Sequence, residues 1–268
     1  MDQTALDDAY SNTKADPDWE ATYTRLQAES ARLYHEFGCI RDIAYGPEPR
    51  ERFDYVLCGA TNAPLFIFIH GGYWQKCTKA DFALCARGAL ERGFDAVLAE
   101  YTLAPQATMT QIVGEIGMLL DFLAASNERY TMKDRPVCLS GHSAGGHLTA
   151  MHRNHPSIAY AFPISGLFDL NPIAFTYLND KLQLTPHELD VDSPQLHVTP
   201  GTPMTVTVGG AELPELVRQS RDYAQACAAV DSGVAYLEVP GLTHFAMCDD
   251  LADPSGVQMS ALTRVMPL

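Results

Sequence analysis

A repeated alternation of short apolar runs with helical segments is the feature that most constrains how this chain folds. The amphipathic segments MTQIVGEIGMLLDFLAASNE and ELVRQSRDYAQACAAV alternate along the chain with short apolar runs. These runs are APLFIFIHGG, FDAVLAEYTLAP, RPVCLSG, IAYAFPISG, PMTVTVGG and VAYLEVPG. Continuous apolar strands that alternate with helices indicate a mostly parallel sheet with helices on both faces. We therefore predict an α/β fold.

The rest of the sequence predicts one domain built around this sheet. Residues 17–37 carry apolar side chains at helical spacing and predict an N-terminal amphipathic helix, so 1–37 is expected to be a helical segment. The runs IRDIAYG and FDYVLCG predict two strands joined by a turn, and KADFALCARGALERG predicts a helix that ends at Gly93. Segment 169–203 is long for a connection, and we expect it to pack over the sheet as a cap or lid. No linker or repeat divides the 268 residues.

Composition and charge argue against several classes of protein. The net charge is −15 and the basic residues form no run, whereas binding to nucleic acid needs clustered Lys and Arg. No apolar stretch reaches the length of about 18 residues that would predict a membrane span. The N-terminus is acidic and polar, unlike a secretory signal, and the seven cysteines lack CxxC pairs. We therefore expect a cytoplasmic protein without a disulfide framework or a zinc site.

The segment GHSAGGHL at residues 141–148 carries the clearest chemical signal. It fits the pattern G-x-S-x-G and lies between a predicted strand and a predicted helix, which is the context of a nucleophile elbow. Gly141 and Gly145 are needed there because the turn is too tight for side chains. Ser143 is then held at the carboxyl end of the strand, beside the first N–H groups of the helix. We predict that Ser143 is a nucleophile rather than an ordinary loop serine.

A serine hydroxyl needs a base, and His244 is the best placed of the nine histidines. It lies in PGLTHFAM, directly after the last predicted strand, where this topology returns a loop over the elbow. His142 and His147 are too close to Ser143 in sequence to act easily as its base, although either could line the pocket. We interpret the remaining histidines as surface or structural residues.

Two carboxylates in GGAELPELVRQS compete for the role of the acid that orients the histidine. Glu212 is nearer the end of the strand PMTVTVGG, where a loop side chain can turn toward His244. Glu215 is expected in the first turn of a helix, where an acid is favourable simply as a partner of the helix dipole. Asp169 follows the preceding strand and ranks third. We favour Glu212 and keep Glu215 as the alternative acid.

The segment HGG at residues 70–72 follows a strand and supplies the remaining part of the predicted site. We predict that the N–H groups of Gly71, Gly72 and Ala144 stabilise an oxyanion. His70 is expected to brace this loop by hydrogen bonding. For Tyr73 and Trp74, facing the pocket and packing in the core are equally open. The candidate pocket-lining side chains are Tyr73, Trp74, His142, Phe168, Phe175 and Tyr177.

These motifs resemble those of the serine-dependent α/β-hydrolases, in particular the arylformamidase branch (kynurenine formamidase-like) near the hormone-sensitive-lipase-like esterases. HGG and GHSAGG alone would indicate a carboxylic ester hydrolase, whereas HGGYW and the N-terminal AYSN point to the formamidase branch. The resemblance implies a nucleophile at Ser143, a base at His244 and an acid at Glu212, where animal members often have Asp. It implies no cofactor and no metal, and the ligand motifs of the metal-dependent formamidases, which have a different fold, are not found.

The predicted function is hydrolysis of an aryl formamide such as N-formylkynurenine through a formyl-serine intermediate. A carboxylesterase, or an amidase acting on another small amide or carbamate, is the alternative, because all of these reactions develop the same oxyanion. A ligand receptor on the same fold is disfavoured by the complete Ser, Glu and His set. The expected partner is therefore a small-molecule formamide, amide or ester, and the sequence leaves a homodimer open.

Overall fold

The computed structural model describes residues 2–266, which form a single eight-stranded sheet covered by helices. The strands are β1 (Gly38–Ala44), β2 (Arg52–Leu57), β3 (Leu65–Ile69), β4 (Asp95–Ala99), β5 (Val137–His142), β6 (Tyr160–Ile164), β7 (Met204–Gly209) and β8 (Val234–Val239). Their order across the sheet is β1-β2-β4-β3-β5-β6-β7-β8. The pairs β1–β2 and β2–β4 are antiparallel, and all other neighbours are parallel. The predicted mostly parallel α/β sheet is confirmed.

The helices lie between and beyond the strands. The α-helices are α1 (Gln3–Asp8), α2 (Asn12–Ala15), α3 (Trp19–Glu36), α4 (Arg87–Glu91), α5 (Met109–Ala125), α6 (Ala144–Met151), α7 (Asn179–Leu182), α8 (Pro186–Val191), α9 (Pro214–Ala228), α10 (Ala246–Ala252) and α11 (Val257–Val265). Short 3₁₀ turns cover Ala83–Ala86, Ile173–Phe175 and Pro194–Leu196. The helix predicted over residues 17–37 is confirmed as α3. Within the described residues, no helix combines the length and apolar character required to cross a membrane.

The segment KADFALCARGALERG does not form the single helix that was predicted. Its first residues are held in a turn, because the Asp81 carboxylate accepts hydrogen bonds from the N–H and the hydroxyl of Thr78 at 2.8 Å each. The Lys79 ammonium is fixed by Asp42 at 2.7 Å and by Asp54 at 3.2 Å. These contacts bind the segment to the sheet, and only a 3₁₀ turn and the short α4 follow.

Alternate strand residues pack under helices on opposite faces of the sheet, as the pleat requires. Phe66 and Phe68 of β3 share one apolar core with residues of α3, α4, α10 and α11. Ile67 of β3 and Leu139 of β5 belong to the other core, beneath α5 and α6. Both faces are therefore covered, which explains why these strands are apolar throughout rather than alternating.

The loops at the carboxyl edge of the parallel strands carry the predicted chemistry. Ser143 follows β5, Glu212 follows β7 and His244 follows β8. Parallel strands thus bring together three residues that are far apart in the sequence.

The N-terminal segment is tied to the segment 169–203. The Gln3 side chain donates to the carbonyl of Phe175 at 2.7 Å, and the N–H of Tyr177 donates to Asp7 at 2.8 Å.

Candidate active site

Ser143 occupies a sharp turn between β5 and α6. Its backbone has φ 59° and ψ −117°, and its N–H donates to the carbonyl of Ile164 at 2.8 Å. Positive φ at a residue other than glycine is uncommon and is held here by the surrounding structure. A Cβ at Gly141 would lie 2.4 Å from the carbonyl oxygen of Gly145, and one at Gly145 would lie 2.0 Å from that of Ile69. The turn has the geometry of a nucleophile elbow, and it requires both glycines.

A buried carboxylate lies directly behind His244. Nδ1 of His244 is 2.6 Å from Oε2 of Glu212. The other oxygen of Glu212 accepts hydrogen bonds from the Ser165 hydroxyl at 2.5 Å and from the N–H of Gly209 at 2.7 Å. Burial alone would raise the pKa of Glu212, but His244, Ser165 and the Gly209 N–H outweigh it, so the pKa lies below its usual value. Glu212 is therefore ionised at neutral pH, accepts the Nδ1–H of His244 and leaves Nε2 free to take a proton.

The two other carboxylates considered for this position have different partners. Glu215 lies in the first turn of α9, forms an ion pair with Arg218 at 2.7 Å and accepts a hydrogen bond from the hydroxyl of Tyr10 at 3.1 Å. The hydrogen bond from Arg218 is the main reason why the pKa of Glu215 is lowered. Asp169 accepts a hydrogen bond from the N–H of Asn171 at 3.0 Å. Of the three, the structure brings Glu212 to His244.

Ser143 and His244 face the same cavity, which has a volume of about 390 Å³. Five other predicted residues line it, namely Gly71, Gly72, Tyr73, His142 and Tyr177. The ring of His142 lies 4.3 Å from that of His244, and its Nε2 is 2.9 Å from the His244 carbonyl oxygen, to which it donates. The cavity is within the size range of small-molecule sites.

Three aromatic residues predicted to line the pocket lie elsewhere, which corrects that part of the prediction. Trp74 is fully buried and meets the ring of His147 edge-on at 5.1 Å. Phe168 is fully buried and stacks on Tyr223 at 4.3 Å. Phe175 is 68% exposed and does not line the cavity. Trp74 and Phe168 therefore contribute to the core, and Phe175 contributes to the outer surface.

The loop that begins at His70 passes close to Ser143. A Cβ at Gly71 would lie 3.0 Å from the Cβ of Ser143, so the backbone at Gly71 packs directly against the elbow. Gly72 has φ 109°, and a Cβ there would lie 2.2 Å from the carbonyl oxygen of Lys76. The ring of His70 bridges the Gly71 carbonyl, 2.7 Å from Nδ1, and Glu100, 2.8 Å from Nε2. The prediction that His70 braces this loop is confirmed.

Several residues of the cavity were not identified from the sequence. Asn12 and Trp19 come from the N-terminal segment, and Phe82 and Phe245 complete the aromatic wall. Asn12 donates from Nδ2 to the hydroxyl of Tyr73 at 3.2 Å, which links the N-terminal segment to the HGG loop. The AYSN sequence around Asn12 carries the family resemblance, and it is the one signal in the sequence that bears on this contact.

The site combines a serine at the carboxyl edge of the sheet, a histidine that contacts a buried carboxylate, and nearby backbone N–H groups, which is an arrangement suited to acyl transfer. Among residues 2–266, no three His, Cys, Asp or Glu side chains are grouped so as to hold a metal ion. The fold and the site define the chain as an α/β-hydrolase. A family described as BD-FAE matches residues 58–157. A crystal structure from Silicibacter, described as a candidate thioesterase, is 29% identical with a TM-score of 0.86, covering 96% of this chain and 98% of that one.

Two sequence relatives narrow the class further. A kynurenine formamidase of Salmo salar is 30% identical, with 80% of this chain and 77% of the relative covered. A kynurenine formamidase of Danio rerio is 28% identical, with 94% of this chain and 90% of the relative covered. The chain belongs to the kynurenine formamidase family.

Proposed function

We propose that this protein hydrolyses an aryl formamide, such as N-formylkynurenine, to an aryl amine and formate. Ser143 is the nucleophile, His244 the general base and acid, and Glu212 the residue that orients His244. The observation that carries the proposal is the buried contact of 2.6 Å between Glu212 and His244, at the wall of the cavity that Ser143 also faces. Membership of the kynurenine formamidase family supports the choice of substrate.

The first half of the reaction forms a formyl-serine. Nε2 of His244 takes the proton of the Ser143 hydroxyl while Oγ attacks the formyl carbon, and Glu212 stabilises the imidazolium that results. The N–H groups of Gly71, Gly72 and Ala144 donate to the oxyanion, and the loss of one such donor typically raises the barrier by about 2.7–4 kcal/mol. His244 then gives its proton to the nitrogen of the leaving group as the C–N bond breaks.

The second half of the reaction releases formate. A water molecule gives a proton to His244 and attacks the formyl carbon from the side that the aryl amine has left. The tetrahedral intermediate collapses, the bond from carbon to Oγ breaks, and His244 returns the proton to Ser143. The enzyme is regenerated, and no redox step or additional reactant is needed.

The walls of the cavity support an aromatic substrate. Trp19, Tyr73, Phe82, Tyr177 and Phe245 line it together with the reacting residues. Aromatic rings bind one another in offset or edge-to-face geometry and contribute about 0.5–1.5 kcal/mol per pair beyond the buried area. An aryl amine also leaves more easily than an alkyl amine, so the chemistry and the walls favour the same class of substrate.

The experiment that tests the proposal compares kcat/KM for N-formylkynurenine with kcat/KM for p-nitrophenyl acetate, in the wild type and in Ser143→Ala. We expect efficient release of formate by the wild type and loss of both activities in the variant. Negligible turnover of the formamide beside rapid turnover of the ester would contradict the formamidase assignment.

A carboxylesterase or thioesterase is the second candidate, because the Silicibacter relative is described as a candidate thioesterase. The same residues could cleave an ester or thioester, since the oxyanion is shared and only the leaving group differs. The substrate comparison above separates the two functions. A ligand receptor on this fold would turn over none of these substrates.

A further inference from the structure

The buried ring of His70 faces a hydrogen-bond acceptor at each of its two nitrogens. Nδ1 lies 2.7 Å from the carbonyl oxygen of Gly71, and Nε2 lies 2.8 Å from Oε1 of Glu100. A carbonyl oxygen can only accept, so Nδ1 carries a proton and donates it. Whether Nε2 also carries a proton depends on the charge of Glu100.

Glu100 is surrounded by donors that favour its ionised form. Arg50 donates from Nη2 to Oε1 at 2.6 Å, and the N–H of Lys79 donates to Oε2 at 3.1 Å. Burial alone would raise the pKa of Glu100, but the charges of His70 and Arg50 outweigh burial, and the pKa lies below its usual value. Arg50 and Lys79 act in this way whatever the charge of His70. Nε2 of His70 therefore faces a carboxylate, to which it can only donate.

Tyr101 gives an independent reason for a positive charge on His70. The two rings stack with their centroids 4.5 Å apart and their planes at 12°. The face of a tyrosine ring is negative and attracts a cation. Two donating nitrogens and this stacked ring both indicate an imidazolium, the form of histidine in which each nitrogen carries a proton.

The hydrogen bond from His70 reaches the predicted oxyanion site through a single peptide group. The carbonyl of Gly71 and the N–H of Gly72 belong to that peptide, and Gly72 lines the cavity that Ser143 faces. Among residues 2–266, the N–H of Gly72 donates to no backbone carbonyl. A charge-assisted hydrogen bond is roughly twice as strong as a neutral one. It polarises the peptide that accepts it and so strengthens the donor at the other end.

We propose that His70 is an imidazolium that polarises the peptide between Gly71 and Gly72, and that Glu100 maintains its charge. The N–H of Gly72 then stabilises the oxyanion more strongly than an ordinary backbone N–H does. His70 and Glu100 are positioning residues, because they act through the backbone and touch no reacting atom. The inference rests on the proposed function in one respect, the assignment of the Gly72 N–H to the oxyanion.

The charge of His70 is measured directly by NMR on the intact protein with ¹⁵N-labelled histidine rings, at the pH of the activity assay. We expect two ring N–H signals from His70 and similar shifts for its two nitrogens, as in an imidazolium. Their absence from the spectrum of His70→Asn assigns them. In Glu100→Gln the ring loses its counter-ion, and one nitrogen should lose its proton. A wild-type His70 with one protonated and one bare nitrogen would overturn the inference.

Two variants separate the effect of the charge from simple bracing of the loop. Glu100→Gln leaves a neutral ring on the Gly71 carbonyl, and His70→Asn places a neutral amide donor near the position of Nδ1. We expect both to lower kcat and kcat/KM for p-nitrophenyl acetate by the same factor, because the interaction forms only in the transition state. That factor should be about three- to tenfold, below the roughly 10²–10³-fold loss when a donor is removed entirely.

Glu115→Gln is the matched control, because Glu115 is a buried carboxyl group whose hydrogen bond comes from the Thr102 N–H at 2.6 Å. It should keep kcat within about twofold, with active sites counted by a fluorophosphonate probe. Wild-type kcat in Glu100→Gln would overturn the inference, whether or not His70→Asn loses activity. Release of formate from N-formylkynurenine by the wild type is measured separately. If formate is not released while ester hydrolysis depends on Glu100 as expected, the proposed substrate fails and the role of His70 stands.

Discussion

Replacement of Glu212 by Gln keeps the size of the side chain but removes its negative charge and changes its hydrogen-bonding pattern. One oxygen of Glu212 accepts from Ser165 and from the Gly209 N–H, and the other accepts from His244. Glutamine has a single side-chain oxygen, and two donors compete for it on the Gly209 side. We therefore expect the amide NH₂ of the variant to point at Nδ1 of His244.

The expected loss of activity follows from this change of partner. An NH₂ group that faces Nδ1 favours the tautomer in which Nε2 carries the proton, and that tautomer cannot accept a proton from Ser143. In serine hydrolases the equivalent change lowers kcat by roughly 10⁴-fold. We expect kcat/KM of Glu212→Gln to fall by about 10³–10⁴-fold, or roughly 4–5.5 kcal/mol of transition-state stabilisation.

The assay is the kcat/KM for N-formylkynurenine, and for p-nitrophenyl acetate as a second substrate, in Glu212→Gln and Glu215→Gln. Glu215 is the matched control, because its partners are Arg218 and Tyr10 rather than His244. It should lose less than about threefold, in line with the small contribution of exposed ion pairs. Near-normal turnover in Glu212→Gln together with a large loss in Glu215→Gln would refute this assignment of the acid.

Three further perturbations test the local structure by measuring the free energy of unfolding in urea. Burial lowers the pKa of His147 from 6.5 to about 4, so the contribution of the neutral ring to stability is full above pH 6.5 and is lost as the pH falls from 6.5 toward 4. Between pH 7 and pH 5 the wild type should lose about 2 kcal/mol more than His147→Gln, and equal losses would contradict this. Gly145→Ala would place a Cβ 2.0 Å from the carbonyl oxygen of Ile69 and should cost about 1–3 kcal/mol or more, whereas a fully stable variant would contradict that contact. Ser165→Ala removes a hydrogen bond to ionised Glu212 and should lower the free energy of unfolding by roughly 1.5–3 kcal/mol at neutral pH. The difference between variant and wild type should shrink as the pH falls through the lowered pKa of Glu212. A loss of stability that does not change with pH would argue against this hydrogen bond to the ionised carboxylate.

The positions of the predicted catalytic residues could be inferred from the sequence because they depend on chain order and strand ends. In a parallel sheet, the loops after successive strands meet at one edge, so a residue just after a strand is confined to a small region. Ser143, Glu212 and His244 all follow recognisable apolar strands. The choice between Glu212 and Glu215 could be argued for the same reason, since Pro214 begins a helix and removes Glu215 from the loop.

The pocket residues could not be inferred because they depend on backbone turns and on contacts between distant segments. Tyr73 and Trp74 both have positive φ, 50° and 58°, and no propensity argument predicts which of the two then faces the cavity. Trp19 lies at the cavity with its ring 5.3 Å from that of Phe245, which directly precedes α10, a helix that the sequence did not predict. Phe168 occurs in a conspicuous motif, but α9 binds its N–H through Gln219 and draws it into the core.

The most direct test of the central claim is the site of covalent labelling by a fluorophosphonate probe, determined by peptide mass spectrometry on the folded protein. An activated serine attacks the phosphorus and retains the adduct, whereas an ordinary buried hydroxyl does not react. We predict one adduct per chain, located on Ser143, and none in Ser143→Ala. If the wild type is exposed to the probe, acquires no adduct on Ser143 and still hydrolyses N-formylkynurenine, the account is contradicted.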